Sequence, residues 1–201
     1  MNSDQVRNLR NSSDTVASAL HGSLNYLRVL QGFHDEAQRS PAALEEHRDV
    51  LSQLWGATFD ALFSVVGTVV DRTKGTHSLP NLIRACGRYC ASSPDDSQLR
   101  KFCARIEPRL DPKLEPLRKL EAWRMKAVAH RTAEGYLPAF YEDNQMHLDE
   151  IEVSLNYICE VFNEFALQAL QTIHVFEEDP NHLRERAAAL MSKLAPRQRE
   201  G

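Results

Sequence analysis

The sequence predicts an all-α protein, a bundle of four main helices with shorter ones between them. Three observations carry this. Apolar residues recur at steps of three, four or seven along most of the chain. No run alternates apolar and polar residues between turn signals, so no strand is expected. Ser, Asp, Gly and Pro clusters cut the periodic stretches into helix-sized pieces. With 201 residues, 42 % hydrophobic and 26 % charged, the chain is long enough for one domain with its own core.

The first long helix is expected from Val6 to Leu30, carrying Leu9, Val16, Leu20, Leu24 and Leu27 on one stripe, with Gly32-Phe33 closing it. Ser40-Pro41 opens a second helix, with Ser as a cap and Pro suited to the first turn. It carries Val50, Leu51, Leu54, Ala61, Leu62, Val65 and Val69 and ends near Lys74-Gly75. Its apolar stretch, Val50 to Val70, is interrupted by Asp60 and diluted by Ser and Thr, so it reads as a buried core helix and not a membrane span. Ser78-Leu79-Pro80 opens a third helix with Leu82, Ile83, Cys86 and Cys90, and Ser93-Pro94-Asp95-Asp96 a fourth with Leu99, Phe102, Cys103 and Ile106.

Pro108, Pro112 and Pro116 forbid a helix interior until about Leu117. A helix is then expected through Leu120, Trp123 and Val128 to about Arg131, with a loop from Gly135 to about Met146. The most regular pattern follows, from Ile151 through Leu155, Ile158, Phe162, Phe165, Ala169 and Ile173 to Phe176. Asp149 and Glu150 in its first turn suit the helix dipole. Asp179-Pro180 starts a short final helix. The expected organisation is a bundle over residues 1–178 and a short C-terminal helix and tail over 179–201.

The net charge of −4 excludes a globally basic nucleic-acid coat protein but not a local basic patch. Residues 100–131 hold ten Lys or Arg against four acids; residues 132–180 hold eleven acids and no Lys or Arg. Such stretches either attract each other across neighbouring helices, or the basic one receives phosphate and the acidic one a basic partner. The four cysteines have no CxxC spacing and read as small buried residues, with no metal site and a reducing, cytoplasmic compartment expected. The N-terminal stretch has no apolar segment of a signal peptide. His77 reads as a solvated loop residue, and Trp55 and Trp123 as core or interface anchors. His147 has no metal-spaced partner, and the basic C-terminal end, including Arg184, Arg186 and Lys193, as a solvated face and tail.

One pattern carries chemistry. Arg124 and His130 lie six residues apart at the end of the helix before the loop, inside the basic stretch. They sit about 120° apart around the axis and about 9 Å along it, so a long Arg side chain could converge with the imidazole on one substrate. Imidazole transfers protons near neutrality, and a guanidinium matches a phosphate with a fixed fork of donors. Together these groups suit metal-independent cleavage of RNA; the one His of the motif cannot readily be base and acid at once, and two copies from two chains could share the work. Lys126 shares a face with His130, and Arg131 adjoins it.

The segment "LRKLEAWRMKAVAHRT", a loop, and then "LDEIEVSLNYICEVFNEFA" resembles the HEPN superfamily of small helical proteins, most closely its abortive-infection AbiU-like branch. The upstream "FDALFSVVGTVVDRTKGTHSLPNLI" is similar as well, with an acidic residue closing one helix and Ser-Leu opening the next. The resemblance implies an antiparallel four- to five-helix bundle that pairs as a homodimer through the motif helices, in a toxin–antitoxin or phage-defence system. It also implies a metal-independent endoribonuclease without cofactor, acting on RNA, with an antitoxin protein as a partner and no membrane. The family's Arg and His fall on Arg124 and His130, with Lys126, Arg131 and Asp71 as accompanying binding groups. This sequence has Met125 where the family usually has Asn, Asp or His. The alternative implied by the same resemblance is an inactive bundle serving as a protein- or nucleotide-binding module.

Overall fold

The computed structural model describes residues 1–201 apart from 42–44, 46–47, 92–95, 126–145, 178 and 195–201. The described residues are all-α, with no strand among them. Helix α1 spans Ser3–Arg39, α2 Arg48–Val70, α3 Leu79–Cys90, α4 Ser97–Ile106, α5 Leu117–Ala122, α6 Leu148–Leu170 and α7 Pro180–Leu194; a 3-10 turn, Glu107–Leu110, follows α4.

Helix α1 is the spine. Asn2 and Gln5 cap it reciprocally, each side chain accepting the other's backbone N–H at 2.9 Å. Its predicted stripe, from Leu9 to Leu30, is buried, and α2, α3, α6 and α7 pack around it. The helix does not close at Gly32 as the sequence suggested. It runs seven residues further to Arg39, because Gly32 serves an approach and not a stop. A Cβ there would lie 2.2 Å from the Arg184 carbonyl oxygen and 2.7 Å from the Ala187 Cβ. The missing side chain is what lets α7 lie directly on α1.

Helix α2 departs from the expected core helix. Its C-terminal half is buried through Leu62, Phe63, Val66 and Val69, whereas Val50 and Leu54 are 59 % and 44 % exposed. By length and composition this is the one helix among the described residues apolar enough to cross a membrane. Leu51 and Trp55 cover part of the outer half by packing on a second, small cluster of Phe33, Ala187 and Met191.

Helix α6 also ends earlier than its periodicity predicts. Gln171 adopts a left-handed backbone (φ 57°), and the N–H groups of Gln171 and Thr172 turn back to the carbonyls of Leu167 and Ala166. The apolar residues beyond are not helical. They form an extended strap over the bundle. Asn163 brackets His174 by two bonds of 3.0 Å, Phe176 stacks edge-on against Phe162, and the His21 ring donates from Nδ1 to the Phe176 carbonyl at 2.8 Å. Of the apolar residues that continue the spacing, Phe176 packs on the core, whereas Ile173 is exposed.

The strap ends on a buried cation. Arg28, on α1, donates from Nε and Nη2 to both Glu177 oxygens at 2.8 and 2.6 Å, and from Nη1 to Glu152 on α6 at 2.7 Å. Gln31 joins by accepting from Arg28 and donating to Glu152, each at 2.8 Å. Burial alone would raise the Glu152 carboxyl, but its bonds from Arg28 and Gln31 hold it below the ordinary carboxylate range. Two turns along α1 from Arg28, Asp35 receives Arg184 of α7 at 2.6 and 2.9 Å. Arg184 is therefore a clamp between helices and not a solvated residue.

Three expectations follow. Arg28→Leu leaves Glu152 and Glu177 without their cation and should cost about 3–5 kcal/mol in urea unfolding. The depressed Glu152 pKa contributes stability that is complete above the unfolded value of 4.5 and is lost as pH falls through the lower folded value. A plot of unfolding free energy against pH should therefore decline below about pH 4.5, less steeply in Glu152→Gln. Gly32→Ala should cost at least about 1–3 kcal/mol, and amide exchange should rise first in α7; unchanged exchange there would contradict the close approach.

Candidate active site

The site is built where α5 meets α2. Leu117 and Leu120 are buried and fix α5 in the bundle. Ser154 on α6 donates to the Pro116 carbonyl at 2.9 Å, and Lys119 pairs with Glu150 at 2.6 Å. Arg109 and Arg105, in the basic stretch, both meet Glu164 on α6. The basic and acidic stretches thus do attract each other across neighbouring helices. After Ala122 the backbone widens into a π-type turn over 123–125. Trp123 points back into the bundle, edge-on to Phe59 at 5.2 Å and tilted to Phe63 at 6.0 Å between ring centres, as an apolar anchor.

With Trp123 anchored, Arg124 is directed along α2. Its aliphatic stem lies on Gly67, where a Cβ would be 2.8 Å from Cδ and 3.0 Å from Cγ. Its head is gripped by Glu121, one turn back, with Nε and Nη2 donating at 2.8 and 2.7 Å, and Nη2 also lies 3.1 Å from the Met125 sulfur. The Glu121 bonds and charge, together with the charge of Asp71, push the Arg124 pKa further up, outweighing partial burial. The guanidinium is a permanent, oriented cation.

Asp71, just beyond the end of α2, lies within the field of that cation. Burial would raise its pKa, but bonds from the Thr73 N–H and hydroxyl at 2.9 and 2.8 Å, with the Arg124 charge, hold it low. The structure therefore brings Asp71 and Arg124 into one electrostatic unit. Lys126, His130 and Arg131 lie outside the described residues. Two residues were missed in the sequence. Glu121 was readable there, three positions before Arg124 with opposite charge. Gly67 was not, since only the packed helices show what a side chain at that position would meet.

Elsewhere the cysteines are free and buried. Hydrogen bonding with Cys103, then burial, push the Cys86 thiol far up and keep it inert. No group of three metal-ligating side chains occurs among the described residues.

An all-α bundle with Arg124 just after α5 and ahead of the long amphipathic α6 is consistent with a HEPN-like bundle. The family model of AbiU2, a HEPN family, matches residues 4–190, and the chain belongs to that family. This places it among HEPN proteins of the abortive-infection, defence type. No curated protein and no solved structure gives a significant match.

The seat of Arg124 is directly testable. In Gly67→Ala the Arg124 stem should be displaced, moving its Nε–H resonance in NMR spectra while helical circular dichroism stays unchanged. The accompanying cost should be about 1–3 kcal/mol. An unmoved Nε–H signal would show that Gly67 does not position Arg124.

Proposed function

We propose that the protein is a metal-independent endoribonuclease of a toxin–antitoxin or phage-defence system. In this reading two chains pair through the motif helices, so that two Arg124–His130 sets share one RNA site. The observation that carries it is the seating of Arg124. Its stem is fixed by Gly67, its head is oriented by Glu121, and Asp71 lies within its field. A preorganised guanidinium of this kind stabilises the charge that develops on phosphorus. His130 takes the 2′-hydroxyl proton in one chain and supplies a proton to the leaving oxygen from the other. Lys126 and Arg131 hold flanking phosphates. An antitoxin protein that covers the site would restrain it, and the protein works in the cytoplasm.

A second reading has its own observation. Both Nε and Nη2 of Arg124 are already engaged by Glu121, and Met125 supplies a thioether where the family usually has a polar residue. A guanidinium neutralised by its own helix suits a bundle that binds a partner without chemistry.

Incubation of purified protein with cellular RNA separates the two. The nuclease should cut RNA and spare DNA, and EDTA should leave the rate unchanged. His130→Ala and Arg124→Ala should each lower it by about 10²–10⁴-fold with the fold intact by circular dichroism. Met125→Asn should raise it. Intact RNA with both wild type and Met125→Asn would refute the nuclease and leave the binding module.

A further inference from the structure

A second feature lies on the other side of Asp71. The connection from α2 to α3 is fixed by its own bonds. Gly75 takes a positive φ of 92°, which a side chain would strain. The Asn81 amide donates to the Thr73 carbonyl at 2.6 Å and to Thr76 Oγ1 at 2.9 Å, and the buried Ser78 hydroxyl donates to the Asp71 carbonyl. This rigid loop, the start of α1 and one face of α3 enclose a cleft of about 630 Å³.

Four cations line that cleft: Arg72, Lys74, Arg84 and Arg88, with no carboxylate in its wall. Glu107 lies behind it and is shared by Arg72 at 3.2 Å and Arg84 at 2.7 Å. One carboxylate against four cations leaves an excess of three positive charges. Arg72 also has two buried N–H groups, Nε and Nη2, without an acceptor, so its bond to Glu107 answers only part of the guanidinium. Arg84 and Arg88 are one turn apart on α3, about 6 Å along its axis, so they form a row and not a point. Tyr89 and Leu82 supply an apolar wall, and Ser12 and His77, 3.1 Å apart, a polar rim. Such a row of cations beside an aromatic ring matches the backbone and bases of a single strand. An acidic peptide would use the cations but not the ring.

We propose that this cleft is a binding track for single-stranded RNA, feeding the Arg124 site from the α2–α3 loop. The proposal rests on RNA being the ligand of that site. Asp71, in the field of Arg124, directly precedes Arg72 at the mouth of the track, so one loop serves both. The track contributes affinity and placement through phosphate contacts and takes no part in proton transfer.

The test uses the full chain carrying His130→Ala, which removes cleavage, and a fluorescent single-stranded RNA of about a dozen nucleotides. Lys74→Glu with Arg88→Glu should weaken binding by roughly tenfold or more at low salt. Asn8→Trp, which fills the cleft without changing charge, should weaken it as well. Arg39→Glu, about 40 Å along α1 from Ser12, with Arg48→Glu at the start of α2 makes the same charge change and should not. In chains that keep His130, the track variants should raise KM and leave kcat unchanged. Binding equally reduced by the distant pair, or equally tight binding of a polyglutamate peptide, would overturn the track. Cleavage with unaltered KM in the track variants would overturn the track alone and leave the nuclease standing. RNA binding that the track variants abolish, with no cleavage by wild type, would uphold the track and overturn the nuclease. No RNA binding by wild type would overturn both.

Discussion

A single buried guanidinium organises this bundle. Arg28 is 6 % exposed, too dry to keep its charge unless every donor is answered. Its partners come from three parts of the chain: Gln31 on α1, Glu152 on α6, and Glu177 at the end of the strap. A desolvated ion pair contributes little net stability compared with packed hydrocarbon. What it does contribute is geometry, because removing the guanidinium leaves two carboxylates without a cation, and removing a partner leaves a buried donor without an acceptor. The strap must therefore run where Glu177 reaches Arg28. From there the chain can only enter α7 beside α1, where Asp35 and Gly32 receive it.

That constraint reaches the candidate site through α6. Glu152 fixes the start of α6 against α1, and the same end of α6 holds α5 through Glu150 and Ser154. Helix α5 is only six residues long and could not hold a conformation alone. Its last turn carries Trp123 into the aromatic group with Phe59 and Phe63 on α2, and the next residue is Arg124. The position of the guanidinium is thus the sum of two attachments. One is polar, to α6; the other is aromatic, to α2.

Much of this was legible in the sequence, and the exceptions have physical causes. Helix spacing marked the main helices and their buried stripes, because burial on one face leaves a period that composition cannot hide. It misjudged the end of α6, since Ile173 and Phe176 keep the apolar spacing after Gln171 has turned the backbone left-handed. It misread Gly32 as an end, because a glycine that ends a helix and one that admits a neighbouring helix look alike in one dimension. The exposure of the outer half of α2 was partly legible, since Arg48, Asp49, Ser52 and Gln53 dilute it while the inner half holds Leu62, Phe63, Val65, Val66 and Val69 with one charge. Arg124 was singled out from its setting in the motif. Its seat on Gly67 exists only between two packed helices.

The pairing of Arg124 with Glu121 bears on how such a site could work. A carboxylate that grips Nε and Nη2 presents the same two-oxygen geometry as a phosphate. An arriving phosphodiester would exchange one anionic partner for another, so little desolvation would need to be repaid. Glu121 would then act as a stand-in that holds the fork in its productive orientation while the site is empty. The fork would stay aligned during such an exchange because its stem lies against Gly67 apart from its head. The same argument gives Asp71 its place. Held ionised by Thr73, it adds its charge to the field at the cation without a direct bond to it among the described contacts.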